Sequence, residues 1–168
     1  MKYTVFKVAG GSFGIGIEGV VEILKYREIE RIPQLPDFIS GVMNVRGDVI
    51  PVIDLRERFG ITEEADRRRI ITVRLEGGTA GLIVDEVTGI REIPDEKISS
   101  PPRVFNEFRS DFMKGLCHEQ PGRDRVTIIL DIERILSRDE KIMLKTSMEK
   151  LTGEGRKRGG RRIEKRPG

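Results

Sequence analysis

Three short stretches carry residue types that could do chemistry. Cys117-His118 sets the one thiol beside the one imidazole. Gly14-Ile15-Gly16-Ile17-Glu18-Gly19 spells G-x-G-x-x-G, and Arg46-Gly47-Asp48 spells a tripeptide used in adhesion. A cysteine nucleophile needs its base within hydrogen-bond reach. Neighbouring side chains on a strand point to opposite faces, so Cys117 reads as a small apolar packer and His118 as a strand end. A dinucleotide site needs strand, turn, then helix, with the helix N-terminus on the pyrophosphate. Here the glycines alternate with apolar residues inside a strand, after the turn has been made. The carboxylates form no D-x-D-x-D-G or H-E-x-x-H pattern. Nothing assembles a nucleophile, a base and an oxyanion donor, so the expectation is a protein that is not an enzyme and needs no cofactor and no metal.

What remains is Arg46 itself, in the stretch GVMNVRGDVIPVIDL (41–55). Gly47 permits a turn, and Arg46 projects from the end of the strand that follows. Glu22 lies in VVEIL, where Val21 and Ile23 would face one way and Glu22 the other. A guanidinium offers five donors in a planar fork that suits one carboxylate. An exposed pair of this kind contributes under about 1 kcal/mol. The alternative is a polar rim beside an apolar patch built from Val20, Val87 and Ile90. Composition leaves both open.

These residues must be held by strands. Val5, Lys7 and Ala9 alternate with Phe6 and Val8, Gly10-Gly11 suits a tight turn, and Phe13, Ile15 and Ile17 return. The pattern recurs 67 residues later: KVAGGSFGIGIEGVVEI (7–23) aligns without a gap on RLEGGTAGLIVDEVTGI (74–90). Downstream, DFISGV (37–42) resembles DFMKGL (111–116), and VIPVIDLRERF (49–59) resembles VTIILDIERIL (126–136). Internal duplication explains this. Many short strands with turn signals predict two small barrels packed together. Asp54 with Glu57 predicts a capping box, and Gly60 the end of that helical turn. Ser137 with Glu140 predicts a second box, opening a helix over about 138–151.

The 168 residues suit one domain or two small subdomains. No stretch approaches the ~20 apolar residues that cross a bilayer, and one cysteine excludes an internal disulfide, so a cytoplasmic protein is expected. The net charge of +3 is uneven. Residues 153–168 hold seven basic and two acidic side chains, which leaves a net of −2 for the rest. Such a Gly-rich basic tail reads as a solvated, disordered extension, or as a contact for RNA, anionic lipid or an acidic partner. A small-barrel nucleic-acid-binding protein using that tail is therefore the alternative function.

The chain resembles the chemotaxis coupling protein family, CheW. The resemblance covers about residues 3–145. It rests on Pro36-Asp37-Phe38-Ile39-Ser40-Gly41-Val42-Met43-Asn44-Val45-Arg46-Gly47, on Val49 through Gly60, on GLIVDEV (81–87) and on VTIILDIERIL. It implies a mainly β fold of two intertwined five-stranded SH3-like barrels sharing a core, with short helices and a C-terminal helix. The CheW-like domain would span 1–145, and 146–168 would be the end of that helix and the tail. It implies an adaptor between chemoreceptor signalling tips and the regulatory domain of the histidine kinase CheA, in arrays beneath the inner membrane. By resemblance, Val20, Glu22, Gly41, Arg46 and Val87 contact a receptor in a groove between the subdomains. Ile98, Val104 and Phe105 match the kinase-contact region, with Val104 standing where some relatives carry an aromatic. The tail is outside the family pattern.

Overall fold

A computed structural model describes residues 1–101, 111–118 and 125–164, with backbone alone beyond residue 151. Val104 and Phe105 lie outside the described residues.

The first half of the chain forms β1 (Lys2–Val8), β2 (Gly11–Gly16), β3 (Val20–Lys25), β4 (Gly41–Val45) and β5 (Asp48–Asp54), then the single-turn helix α1 (Leu55–Arg58). The second forms β6 (Arg69–Leu75), β7 (Gly78–Val84), β8 (Glu86–Glu92), β9 (Ile98–Ser99), β10 (Met113–His118) and β11 (Val126–Leu130), then α2 (Arg138–Glu164). One sheet runs β8-β1-β2-β11-β10-β9 and the other β3-β6-β7-β5-β4. From its third strand onward each repeat therefore joins the sheet that holds the other repeat's first hairpin: β3 pairs with β6 and β5 with β7, β8 with β1 and β11 with β2. This exchange makes the two barrels intertwined.

The duplication is visible in the register. β5 lies parallel to β7 with Val52 opposite Gly81, and β11 lies parallel to β2 with Ile129 opposite Gly14. Gly41 faces Val52, and Gly115 faces Ile129. Irregularities also match, since the ladders shift at Val21 and again 67 residues on at Thr88. Pro51 fits in β5 because the pairing with β7 begins one residue later.

Alternation on a twisted sheet gives each strand two faces. Phe6, Ile15, Ile53, Ile71, Val73 and Leu82 fill a central core shared by both barrels. Met43, Ile50, Val52, Ile70 and Ile83 fill the second barrel's own interior, and Tyr3, Ile93, Cys117 and Ile129 that of the first. Cys117 is buried, while His118 is exposed on the opposite side of β10. Phe6, Phe13, Phe59 and Phe112 stack in series with ring centroids 5.1–6.0 Å apart.

Three local expectations need correction. The first hairpin turns at Ala9-Gly10, with φ of 49° and 81°, rather than at Gly10-Gly11. Gly11 opens β2 opposite Val8, and Asp85 Oδ2 accepts from Ala9 N–H at 2.7 Å, steadying the turn. The Asp54–Glu57 box is only half formed. Asp54 accepts from Arg56 N–H, but Ser40 Oγ takes the Asp54 N–H and donates to Glu57. The corresponding turn after Asp131 is a 3-10 turn at Ile132–Arg134, capped by Asp131 on Glu133 N–H. Finally, the helical backbone of α2 does not stop near 151 and runs on to Glu164. The Ser137–Glu140 box does form, with both reciprocal bonds present.

Candidate functional site

The turn that carries Arg46 is set by strand register. Val45 and Asp48 pair directly, so Arg46 and Gly47 alone join β4 to β5. Both take positive φ, 52° and 90°, as a primed turn matched to strand twist requires. Glycine is at ease there, whereas a side chain with a Cβ is disfavoured by roughly 1–2 kcal/mol. Asn44 offsets part of this, its Oδ1 accepting from Gly47 N–H at 2.9 Å.

Across from the turn, the Glu22 main chain is fixed to β6. Its N–H donates to Thr72 Oγ1 at 3.0 Å, and the Thr72 hydroxyl donates back to the Glu22 carbonyl at 3.2 Å. Glu22 alternates with Val21 and Ile23 as expected. Glu22 is half-buried, and the two apolar residues are exposed by 43% and 46%. This follows from β3 being an edge strand whose inner face closes the end of the second barrel. The Arg46 guanidinium donates to Glu22 Oε2 at 2.9 Å. The arginine side chain remains 78% exposed and the glutamate only 22%, so the cation is presented and the carboxylate is held.

Beside this pair runs a groove of about 620 Å³. One wall is the second barrel, through Val21, Val49, Pro51, Leu75 and Ala80; the other is α2, through Lys141, Leu144, Lys145 and Met148. Leu144 and Met148 also reach the central core, which holds the helix against the body. Two ion pairs add to this. Arg58 donates to both carboxylate oxygens of Glu140 and to the Ile135 carbonyl, and Lys141 bonds Glu133 at 3.0 Å. Sequence reading missed this helical wall, although the Ser137–Glu140 box marked where it starts.

The expected site residues do not all meet here. Glu22 and Arg46 border the groove together. Val20 and Val87 pack half-buried against the central core, at equivalent places in the two repeats, and do not line it. Ile90 stands 63% exposed on β8. Gly41 is buried, and a Cβ on it would come within 2.6 Å of the Glu30 carbonyl oxygen, so it serves close packing. Ile98 is half-buried in β9, opposite Cys117. Arg27 and Asn44, which brace the Arg46 turn, were not singled out; the spacing Asn44-x-x-Gly47 was the available signal.

A second, polar hollow of about 320 Å³ contains Asp54, Arg56 and Asp85. Burial would push the Asp85 carboxyl up, but the Arg56 guanidinium and the Ala9 N–H outweigh it and hold Asp85 below the usual range. Asp54 shows the reverse: burial raises it above the usual range despite its bond from Arg56 N–H. Among the described residues no group of three or more His, Cys, Asp or Glu side chains could hold a metal ion, and no helix is long and apolar enough to cross a membrane.

The model of the CheW-like domain family matches residues 2–140. The chain is 31% identical to the chemotaxis protein CheW of Klebsiella aerogenes, covering 83% of each chain. It is 36% identical to protein FrzA of Myxococcus xanthus, over 76% of this chain and 81% of that one. The crystal structure of the scaffolding protein TtCheW from Thermoanaerobacter tengcongensis superposes with a TM-score of 0.73 at 36% identity, over 83% of this chain and 89% of that one.

Proposed function

This chain belongs to the CheW-like family, and on that premise we propose that it is a non-enzymatic scaffold of chemotaxis signalling, coupling chemoreceptor tips to the regulatory domain of the histidine kinase CheA. It works in the cytoplasm, at arrays beneath the inner membrane. The observation that carries the reading is the Glu22–Arg46 pair on the rim of an apolar groove. A helical hairpin docks in such a groove by apolar anchors, and rim charges fix its register. Arg46 presents its charge to a partner from the rim, with Glu22 held beside it, and Val20 and Val87 are proposed as receptor contacts outside the groove. Gly41 acts indirectly, by letting the segment at Glu30 pack onto β4. Ile98, Val104 and Phe105 are proposed for the kinase face. An intertwined double barrel can present two faces at once, and multivalency in an array strengthens contacts that are individually weak.

The test is co-sedimentation of the full chain with a receptor-tip fragment and the kinase regulatory domain. Wild type is expected to join both, and Arg46→Glu to lose the receptor fragment while retaining the kinase domain. Equal kinase activation by Arg46→Glu and wild type in reconstituted arrays would remove Arg46 from this role.

A further inference from the structure

The second barrel has a seam. Its sheet begins at β3 and ends at β4, and no ladder joins the two. Successive backbone groups of β4 alternate between facing β5 and facing outward. The outward groups at Val42 and Asn44 are met by the chain that follows β3. Glu30 exchanges both backbone bonds with Val42, each at 2.9 Å. One step along, the Arg27 guanidinium donates to the Asn44 carbonyl oxygen at 3.0 Å. A third contact, Arg46 to Glu22, spans the same seam at the turn. Backbone pairing thus gives way to two guanidinium bridges where the strands diverge. Asn44 stands between them: its carbonyl takes Arg27 and its side chain takes the Gly47 N–H.

We infer that Arg27 and Asn44 are positioning residues for Arg46, holding its positive-φ turn across the β3–β4 seam so that the guanidinium is already aimed at a docking partner. This rests on the docking role proposed for Arg46. Without Arg27 the end of β4 has a free outward carbonyl and can swing from β3. Without Asn44 the turn loses the bond that fixes Gly47. In either case Arg46 keeps its charge but loses its fixed direction, and a partner must order it on binding.

The experiment measures binding of the full chain to a receptor-tip fragment for Arg27→Met, Arg27→Lys, Asn44→Ala and Arg46→Ala, with the Arg27→Met/Arg46→Ala double variant. Amide exchange at Gly47 and the Arg46 Nη2 resonance are recorded on the unbound proteins. Arg27→Met and Asn44→Ala are each expected to bind about five- to tenfold more weakly, the loss expected for one hydrogen bond. Arg27→Lys should recover part of that loss, and Arg27→Met should cost nothing further once Arg46 is alanine. Gly47 exchange should quicken in Asn44→Ala, and the Arg46 Nη2–H should lose its Glu22-bonded signature in Arg27→Met. Wild-type affinity in Arg27→Met and Asn44→Ala, or losses that simply add to that of Arg46→Ala, would overturn the inference. So would an unchanged Arg46 resonance in Arg27→Met. If wild type itself fails to bind the fragment, the docking reading falls, while the resonance and exchange data still decide whether these residues position Arg46.

Discussion

Arg58 at the end of α1 grips Glu140 in the first turn of α2 through two hydrogen bonds of 2.5 and 2.7 Å, with both side chains only about one-fifth exposed. The same guanidinium donates to the Ile135 carbonyl. One arginine thus joins the end of the first repeat to the helix that closes the second. Arg58→Met leaves the half-buried Glu140 carboxylate and the Ile135 carbonyl without this donor. The expected loss is about 2–3 kcal/mol by urea denaturation. Glu140→Gln keeps a capping-box acceptor for Ser137 and should cost about half as much.

The ion pairs also set the acid limit of stability. Burial would raise Glu140, but Arg58 and Ser137 hold it below its ordinary value of 4.5. Asp85 is likewise held below 3.8 by Arg56 and Ala9 N–H against the effect of burial. A carboxylate depressed in the fold contributes stability that is full above its unfolded value and is lost as pH falls through the folded one. The melting temperature should therefore fall as pH drops below about 4.5 and continue to fall below 3.8. Asp54 has the opposite sign. Burial raises it, so its contribution is lost as pH rises through its folded value, and Asp54→Asn should not destabilise the protein at pH 7. Melting curves from pH 3 to 7 on wild type, Glu140→Gln and Asp54→Asn check all three points, with the Glu140→Gln curve the flatter below pH 4.5.

Gly41 tests how tightly the segment after β3 wraps β4. A methyl there would meet the Glu30 carbonyl oxygen at 2.6 Å and Ile29 Cδ1 at 3.1 Å. Backbone, not a flexible side-chain tip, must move. Gly41→Ala should cost about 1–3 kcal/mol of stability and weaken the Glu30–Val42 bridge, seen as faster amide exchange at Val42. Gly115 is its counterpart in the other repeat, where a Cβ would lie 2.9 Å from the Ser99 carbonyl oxygen.

Much of this was legible in the chain because duplication repeats the signal. The 67-residue offset that aligns Gly10 with Gly77 also aligns the matched ladder shifts at Val21 and Thr88, and both hairpins turn one residue before the glycine pair suggests, at Ala9-Gly10 and Glu76-Gly77. What alternation cannot carry is which sheet a strand joins. The move of β3 and β8 into the other repeat's sheet comes from tertiary pairing, so alternation set Glu22 opposite Val21 and Ile23 without deciding which side faces inward. The pairing of Arg46 with Glu22 was accessible from residue type and family pattern. The groove's second wall was not, because Leu144 and Met148 gain their meaning only once Arg58 has docked α2.

The Glu22–Arg46 pair offers the sharpest separation of fold from function. At the surface it adds under about 1 kcal/mol, since one partner is 78% exposed. Arg46→Glu should therefore leave the melting temperature within about 2 °C of wild type, while placing two carboxylates side by side at the seam. The reciprocal variant Glu22→Arg/Arg46→Glu restores attraction with its direction reversed. If only the closure of the seam mattered for docking, the double variant would recover receptor-fragment binding. If a partner reads the guanidinium at position 46 itself, binding stays lost while the seam closes again. The exposure of Arg46 and the partial burial of Glu22 favour the second outcome. Isothermal titration of the two variants against a receptor-tip fragment, with Gly47 amide exchange reporting the seam, distinguishes them.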